Sequence, residues 1–473
     1  MAVGSSNTYD LVVLGAGTGG YSAAFRAAQL GLKVALVDEG KIGGTCLHRG
    51  CIPTKALLES AAVAERIRHA AEFGLTLASE AVVDYGKVAA RRDMVVNRMW
   101  KGLGSLVKKN NVAWVQGRGR LEGAHKIRVK AEDGSEILLE ATDTILATGS
   151  RVKTLPGVTP DGRAIVTSDD VLKMTSLPKS VIVIGAGAVG VEFASLFHDL
   201  GSSVTVLEYL PAIVPLEDRE VSKELERSFT RRGIRVMTTA RFDAASVVTA
   251  DGGVRITVGP DGGAAEELSA EILLVAAGRG TNVEDVGLET TSAVVDRGIV
   301  KVDGHMRTAE PHLYAIGDIV GGLQLAHTAA HEGIIAAHVI AGETDVHPMD
   351  YVKQPKATYC RPEIASVGLT EQRCEELGLP VKIGKVPFQA VGKAIIGGEY
   401  EGFAKIIGHA ETDETIGVHI IGPHATDLIA EASLGMTLEA APWEIGATTH
   451  AHPTLSEILG EAAMAVDGRS INF

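Results

Sequence analysis

Cys46 and Cys51 stand with four residues between them in Gly43-Gly44-Thr45-Cys46-Leu47-His48-Arg49-Gly50-Cys51-Ile52-Pro53-Thr54-Lys55. Three kinds of chemistry compete for such a pair. A zinc site needs two further ligands, and CxxxxC has no suitably spaced partner pair nearby. Two inert, buried thiols are the ordinary reading of cysteine. A redox pair that opens and closes as a disulfide is the third. Helical periodicity runs on from 56 to 71, so the pair lies at the expected start of a helix. A helix start, with Arg49 and Lys55 close in sequence, is expected to lower a cysteine's pKa by stabilising the thiolate. Cys360 and Cys374 stand alone and read as structural thiols.

A second group lies near the C-terminus, in His450-Ala451-His452-Pro453-Thr454-Leu455-Ser456-Glu457. Thr454 and Glu457 have capping-box spacing, which is a complete structural account of Glu457. The same residues also suit proton transfer. A thiol must be deprotonated before it attacks a disulfide. Histidine is the natural base near neutral pH, and a carboxylate fixes its tautomer. His452 is the candidate base, Glu457 its partner, and His450 the less certain neighbour.

The elements that must position these groups begin with a motif that occurs twice. Tyr9-Asp10-Leu11-Val12-Val13-Leu14 reads as a strand, followed by the turn Gly15-Ala16-Gly17-Thr18-Gly19-Gly20, a helix ended by Gly31, and a strand running into Asp38. Downstream, Val181-Ile182-Val183-Ile184 is followed by Gly185-Ala186-Gly187-Ala188-Val189-Gly190, a helix closed by Gly201, and a strand ending at Glu208. The acid lies eighteen positions after the last glycine in both copies, 38 minus 20 and 208 minus 190. The first glycine of such a motif makes the tight turn, the second admits a pyrophosphate, and the third packs helix against strand. The helix N-terminus offers free N–H groups to phosphate, and the acid accepts hydrogen bonds from a ribose. One copy alone is weak, because glycine turns also arise for conformational reasons. Two copies with matched acids point to two dinucleotides, which suits electron transfer from one cofactor to another.

Composition narrows the class. A chain of 473 residues has room for about three domains. The net charge of −14, with aromatics at 4%, argues against general binding of nucleic acid or anionic membranes. No stretch is apolar enough for membrane insertion as a spanning helix. Residues 1–8 lack the pattern of a secretory or transit signal, so a cytoplasmic protein is expected, or a mitochondrial-matrix one if a presequence has been removed. Four cysteines are too few for a disulfide-stapled secreted scaffold.

The string GGTCLHRGCIPTKALL resembles the active-site segment of the pyridine nucleotide-disulfide oxidoreductases, and within them the lipoamide dehydrogenases. The likeness extends over essentially the whole chain. Thr144-Ile145-Leu146-Ala147-Thr148-Gly149 is similar to the family's close of the first flavin segment, and Tyr314-Ala315-Ile316-Gly317-Asp318 to its second flavin motif. The resemblance implies FAD on Gly15, Gly17, Gly20, Asp38, Thr45, Lys55, Thr148 and Gly149. Asp318 would meet the ribityl chain, with Leu325, Ala326 and His327 at the flavin ring. It implies NAD on Gly185, Gly187, Gly190, Glu192, Glu208 and Gly278, with Glu192 paired to Lys55. It makes Cys46 and Cys51 the redox disulfide, with Cys51 nearer the flavin.

The implied fold is α/β: two Rossmann-like dinucleotide-binding domains plus a C-terminal α+β dimerisation domain. The expected division is 1–150 for the first part of the FAD domain, with strands inserted around 112–139, and 151–279 for the NAD domain. Residues 280–350 return to the FAD domain, and 351–473 form the interface domain. Gly280-Thr281-Asn282 lacks the proline usual in the family, which is expected to loosen one turn.

The implied reaction is oxidation of dihydrolipoyl groups with NAD reduction, in a homodimer whose His452 and Glu457 reach the disulfide of the opposite subunit. The implied partners are lipoyl domains and the core acyltransferase of a 2-oxo acid dehydrogenase complex, or the glycine cleavage system. Two alternatives stay open. One is a sibling reductase of glutathione or mercuric type, although Glu208 disfavours NADP and the chain ends without a cysteine pair. The other is a mainly architectural subunit of a multienzyme complex.

Overall fold

The computed structural model describes residues 7–79, 81–250, 252–260 and 263–473. Of the N-terminal stretch read for a targeting signal, residues 1–6 lie outside the described residues. The chain divides into two units, each assembled from three stretches. The first comprises Met1–Ala56, Ala89–Lys153 and Arg279–Tyr351; the second comprises Leu57–Val88, Thr154–Gly278 and Val352–Phe473.

In the first unit, apolar runs without alternation make strands that are buried on both faces. Leu11, Val12 and Val13 of strand Thr8–Leu14 are fully buried. This strand lies parallel between Val34–Asp38 and Glu136–Leu146, with Leu11 opposite Val34 on one side and Asp143 on the other. Ala113–Gln116 extends the parallel edge, and Leu313–Ala315 pairs parallel with Glu136–Leu146. Lys126–Lys130 and Arg118–Leu121 complete the seven-stranded sheet as antiparallel strands. Helix Thr18–Gln29 packs closely on helix Ala326–Ile340. A Cβ on Gly19 would lie 2.9 Å from the Ala329 carbonyl oxygen, and one on Gly333 2.6 Å from that of Gly19. Backbone therefore meets backbone, and only glycine fits at the crossing.

The second unit repeats the nucleotide fold. Its five-stranded parallel sheet runs in the order Arg235–Met237, Ser203–Leu207, Ser180–Ile184, Ile272–Val275, Ile165–Thr167. Helix Ala188–Leu200 is buried along most of its length, Phe193 and Phe197 included. The C-terminal stretch forms a five-stranded antiparallel sheet. Helices Ala425–Thr437 and Glu457–Ala465 share an apolar core with it. Lys405 of that sheet is completely buried. Its ammonium lies 3.1 Å from Asp218 and 2.9 Å from Glu220, and it also bonds Glu371. Three carboxylates near enough to hold a metal ion thus converge on a cation supplied by the chain itself.

Candidate functional site

The two glycine turns have closely similar backbone geometry. Gly15 and Gly185 have φ of +104° and +96°, where side chains are strained. A Cβ on Gly20 or on Gly190 would lie 1.8 Å from the carbonyl oxygen of Gly15 or of Gly185. Those glycines let each helix start directly against its own strand. Gly17 and Gly187 differ: each is the N-cap of its helix, has no side-chain cap, and would direct a Cβ into open space. The chain therefore has no steric need of its own for glycine at these two positions. Glycine there leaves room for a ligand to approach bare N–H groups at a helix start, which fits a dinucleotide pyrophosphate.

The acids complete each cradle. Asp38 ends strand Val34–Asp38 and accepts the N–H groups of Ala16 and Gly40, both at 2.7 Å. Glu208 follows strand Ser203–Leu207 and accepts Ala186 N–H at 2.7 Å and Leu210 N–H at 2.8 Å. In both, one carboxylate oxygen bonds the residue between the first two glycines.

The dithiol segment is docked on the first turn. Gly43 N–H donates to the Ala16 carbonyl at 2.8 Å. Gly44, at φ +55°, approaches so closely that a Cβ would lie 2.7 Å from the Gly17 Cα. Cys46 is the third residue of the short helix Gly44–Arg49, which also carries Thr45; Gly50 breaks that helix, and Cys51 opens helix Cys51–Arg68. Neither cysteine is in a disulfide; both are half-buried, with their sulfurs in hydrogen-bonding contact.

The lowered pKa expected of a cysteine at a helix start does not hold for Cys46. Contact with the Cys51 sulfur, then burial, push the Cys46 thiol up rather than down. The Thr18 hydroxyl and Lys55 offset this only in part. Two adjacent sulfurs cannot readily both carry charge, so the reduced pair holds on to one proton. A helix of 6 residues carries too little dipole to reverse that.

The Thr148–Gly149 turn is tied to the segment that lacks the family's proline. Thr148 Oγ1 donates to the Asn282 carbonyl at 2.7 Å, and the Asn282 amide returns a bond to the Thr148 carbonyl at 3.0 Å. Arg279–Thr281 also pairs as a strand with Ser150–Val152. The expected loosening does not occur, because strand pairing and Asn282 replace the rigidity of proline. Asp318 accepts the Ser150 hydroxyl, which in turn accepts Arg279 Nε at 2.7 Å. Leu325 is the N-cap of helix Ala326–Ile340, so Ala326 and His327 stand in its first turn.

In the second unit, Glu192 opens the second turn of helix Ala188–Leu200, is buried, and accepts the Tyr359 N–H at 2.9 Å. Gly278 adopts φ +97° with open space beside it. His452 Nδ1 meets Glu457 Oε1 at 2.8 Å, and the other oxygen of Glu457 accepts the Thr454 N–H at 2.9 Å. Only that half of the capping box forms, since Thr454 Oγ1 donates to the Ala451 carbonyl instead. The His452 bond holds the Glu457 carboxyl below the usual carboxylate range. The His452 side chain is 77% exposed, which leaves Nε2 open to a proton donor. His450 is different in kind: it is largely buried and bonded to Glu431 at 2.8 Å.

Sequence reasoning missed Thr18, Ser150 and Arg279. Thr18 carried one signal, since it is the only hydroxyl inside either glycine turn. Ser150 and Arg279 are unremarkable in sequence and acquire partners only through the sheet.

This fold and these residues define an oxidoreductase class. The pyridine nucleotide-disulphide oxidoreductase model matches residues 9–333, and the dimerisation-domain model of the same family matches 354–463. The chain belongs to this family. It is 47% identical to a dihydrolipoyl dehydrogenase of Bacillus subtilis, over 98% of this chain and 99% of that one. A dihydrolipoyl dehydrogenase of Zymomonas mobilis is 43% identical, over 98% and 99%. The crystal structure of LpdA from Mycobacterium tuberculosis superposes with a TM-score of 0.89 at 30% identity, covering 96% of this chain and 98% of that one.

Proposed function

We propose that the chain is a dihydrolipoyl dehydrogenase, which oxidises a protein-bound dihydrolipoyl group to its disulfide while NAD is reduced. The observation that carries the reading is the Cys46–Cys51 sulfur contact, docked through Gly43 and Gly44 onto an open nucleotide cradle. The substrate class rests on the relatives' names.

The first cradle, with Asp38, Thr45, Lys55, Thr148, Gly149, Asp318 and the start of helix Ala326–Ile340, holds FAD. The second, with Glu192, Glu208 and Gly278, holds NAD. FAD, when bound, accepts the dithiol's electron pair and supplies the hydride that reduces NAD. Residues 1–150 and 280–350 serve FAD, 151–279 serve NAD, and 351–473 serve dimerisation.

His452, oriented by Glu457, takes the proton of one substrate thiol. The thiolate attacks Cys46 Sγ, and the electron pair of the Cys46–Cys51 bond passes to Cys51 Sγ. Charge develops there at the N-terminus of helix Cys51–Arg68, the favourable place for it. The second substrate thiol then displaces Cys46 and closes the lipoyl disulfide. Of the substrate's two protons, one ends on Cys46 and the other on His452.

His452 and Glu457 lie in the segment matched by the dimerisation model, and the cysteines in the other. This supports a homodimer in which each base serves its partner's disulfide. The lipoyl domains and core acyltransferase of a 2-oxo acid dehydrogenase complex are the macromolecular partners, and the cytoplasm is the site of action. Among the described residues no helix is long and apolar enough to cross a membrane. Steady-state assays of dihydrolipoamide with NAD, and of glutathione disulfide with NADH and NADPH, test the reading. Dihydrolipoamide is oxidised rapidly and Cys46→Ser abolishes it; faster turnover of glutathione disulfide refutes the assignment.

A further inference from the structure

Glu332 is a carboxylic acid in the wrong place for stability alone. It is 1% exposed on helix Ala326–Ile340, beside the glycine crossing with helix Thr18–Gln29. Burial, with a contribution from Asp318, pushes its pKa up to about 7. Burying such a group is costly unless its oxygens are bonded. Both are: Oε2 accepts the Gly317 N–H at 2.5 Å, and Oε1 accepts the Tyr351 hydroxyl at 2.8 Å. Gly317, at φ +76°, leads directly into Asp318. The Tyr351 ring lies against Gly322, where a Cβ would meet it at 3.2 Å. One carboxyl and one phenol thereby hold both ends of the loop that carries Asp318.

We propose that Glu332, braced by Tyr351, is a positioning residue for FAD: it fixes the Gly317–Asp318 turn so that the Asp318 carboxylate is presented to the flavin's polyol chain. The inference rests on reading Asp318 as a flavin ligand. It assigns a role to a helix residue whose carboxylate bonds Gly317 and Tyr351.

The test is the rate of FAD release from holoenzyme, followed by flavin fluorescence after dilution into a flavin trap. Wild type is compared with Glu332→Leu, Glu332→Gln, Tyr351→Phe, Asp318→Asn and the double variants Asp318→Asn/Glu332→Leu and Asp318→Asn/Tyr351→Phe. Asp318→Asn speeds release. Glu332→Leu, which orphans a buried N–H, speeds it roughly tenfold. Glu332→Gln stays near wild type, because its carbonyl accepts Gly317 N–H while its amide donates to the Tyr351 oxygen. In the Asp318→Asn background the leucine change adds almost nothing, since both act through one carboxylate.

A full, independent effect of Glu332→Leu in that background overturns the positioning role and leaves a merely structural one. Unchanged release in Glu332→Leu also overturns it. Should the leucine variant fail to fold, Tyr351→Phe must show a smaller acceleration that vanishes with Asp318→Asn, and its absence counts against the proposal. Unchanged release in Asp318→Asn refutes the underlying reading of Asp318 instead.

Discussion

Replacing Gly187 by alanine separates ligand space from folding space. Gly187 has φ −71°, which alanine adopts freely, and a Cβ there meets nothing within 4 Å. The unliganded fold is therefore unchanged or gains about 0.4–1 kcal/mol from reduced unfolded-state freedom. The new methyl group occupies the space through which the pyrophosphate reaches the helix N–H groups. Overpacking of this kind costs about 1–3 kcal/mol, which raises KM for NAD roughly 5- to 150-fold. Flavin content is the internal control, because the first cradle is not altered. Gly190→Ala is the contrasting variant: its Cβ falls 1.8 Å from the Gly185 carbonyl oxygen, so the turn itself must break. The assays are thermal unfolding, bound flavin, and steady-state KM for NAD. Gly187→Ala with a normal Tm, full flavin and a KM within twofold of wild type would refute the claim that this opening is reserved for a dinucleotide.

Four further outcomes rest on the same geometry. Glu208→Ala loses charge-assisted bonds worth roughly 1.5–3 kcal/mol toward NAD, so the NAD over NADP ratio of kcat/KM falls by at least about tenfold; an unchanged ratio removes Glu208 from specificity. His452→Ala loses about 10²–10⁴-fold in dihydrolipoamide turnover but keeps NADH oxidation by an artificial acceptor; mixing it with Cys46→Ser subunits restores activity only if the base acts across the dimer. Glu457→Gln removes the carboxylate that orients His452 and lowers dihydrolipoamide turnover while NADH oxidation by an artificial acceptor survives; unchanged dihydrolipoamide turnover removes Glu457 from the base. Lys405→Met strands the buried Asp218 carboxylate beside the partly exposed Glu220 and Glu371, and lowers stability by about 3–5 kcal/mol in denaturant titration; a loss under 1 kcal/mol contradicts the reading of Lys405 as the buried counter-charge.

The parts of the site that sequence made legible are those in which chemistry constrains residue type at short range. Gly15, Gly17, Gly20 and Asp38 form one local strand–turn–helix–strand, and their period is visible because every position has its own steric or polar duty. The dithiol was legible for the same reason. What sequence obscured depends on contacts between distant segments. The Cys46 thiol follows its neighbour sulfur rather than its helix, and that balance needs the position of Cys51. The turn at Asn282 holds through residues 134 positions away, so the missing proline misled. Glu332 carries no signal in the sequence, because its partners Gly317 and Tyr351 lie 15 and 19 positions away, outside the helix that carries it.

The twin acids show why two different side chains hold equivalent places. Asp38 ends its strand, and its short chain reaches back to Ala16. Glu208 stands one residue beyond its strand and needs the extra methylene to reach Ala186 at the same 2.7 Å. Each carboxylate spends one lone pair per oxygen on a backbone N–H and keeps others for ribose hydroxyls. The acid is thus oriented before the nucleotide arrives, and binding need not immobilise it, which preserves affinity. The anchor also fixes the negative charge beside the ribose, so a 2′-phosphate on the second cradle meets a carboxylate that cannot swing away without releasing two N–H groups. Exchanging the acids, Asp38→Glu or Glu208→Asp, keeps charge but breaks the anchor. Each exchange should therefore weaken its own dinucleotide and leave the other bound normally, and a loss of both from either exchange would show that the cradles do not act independently.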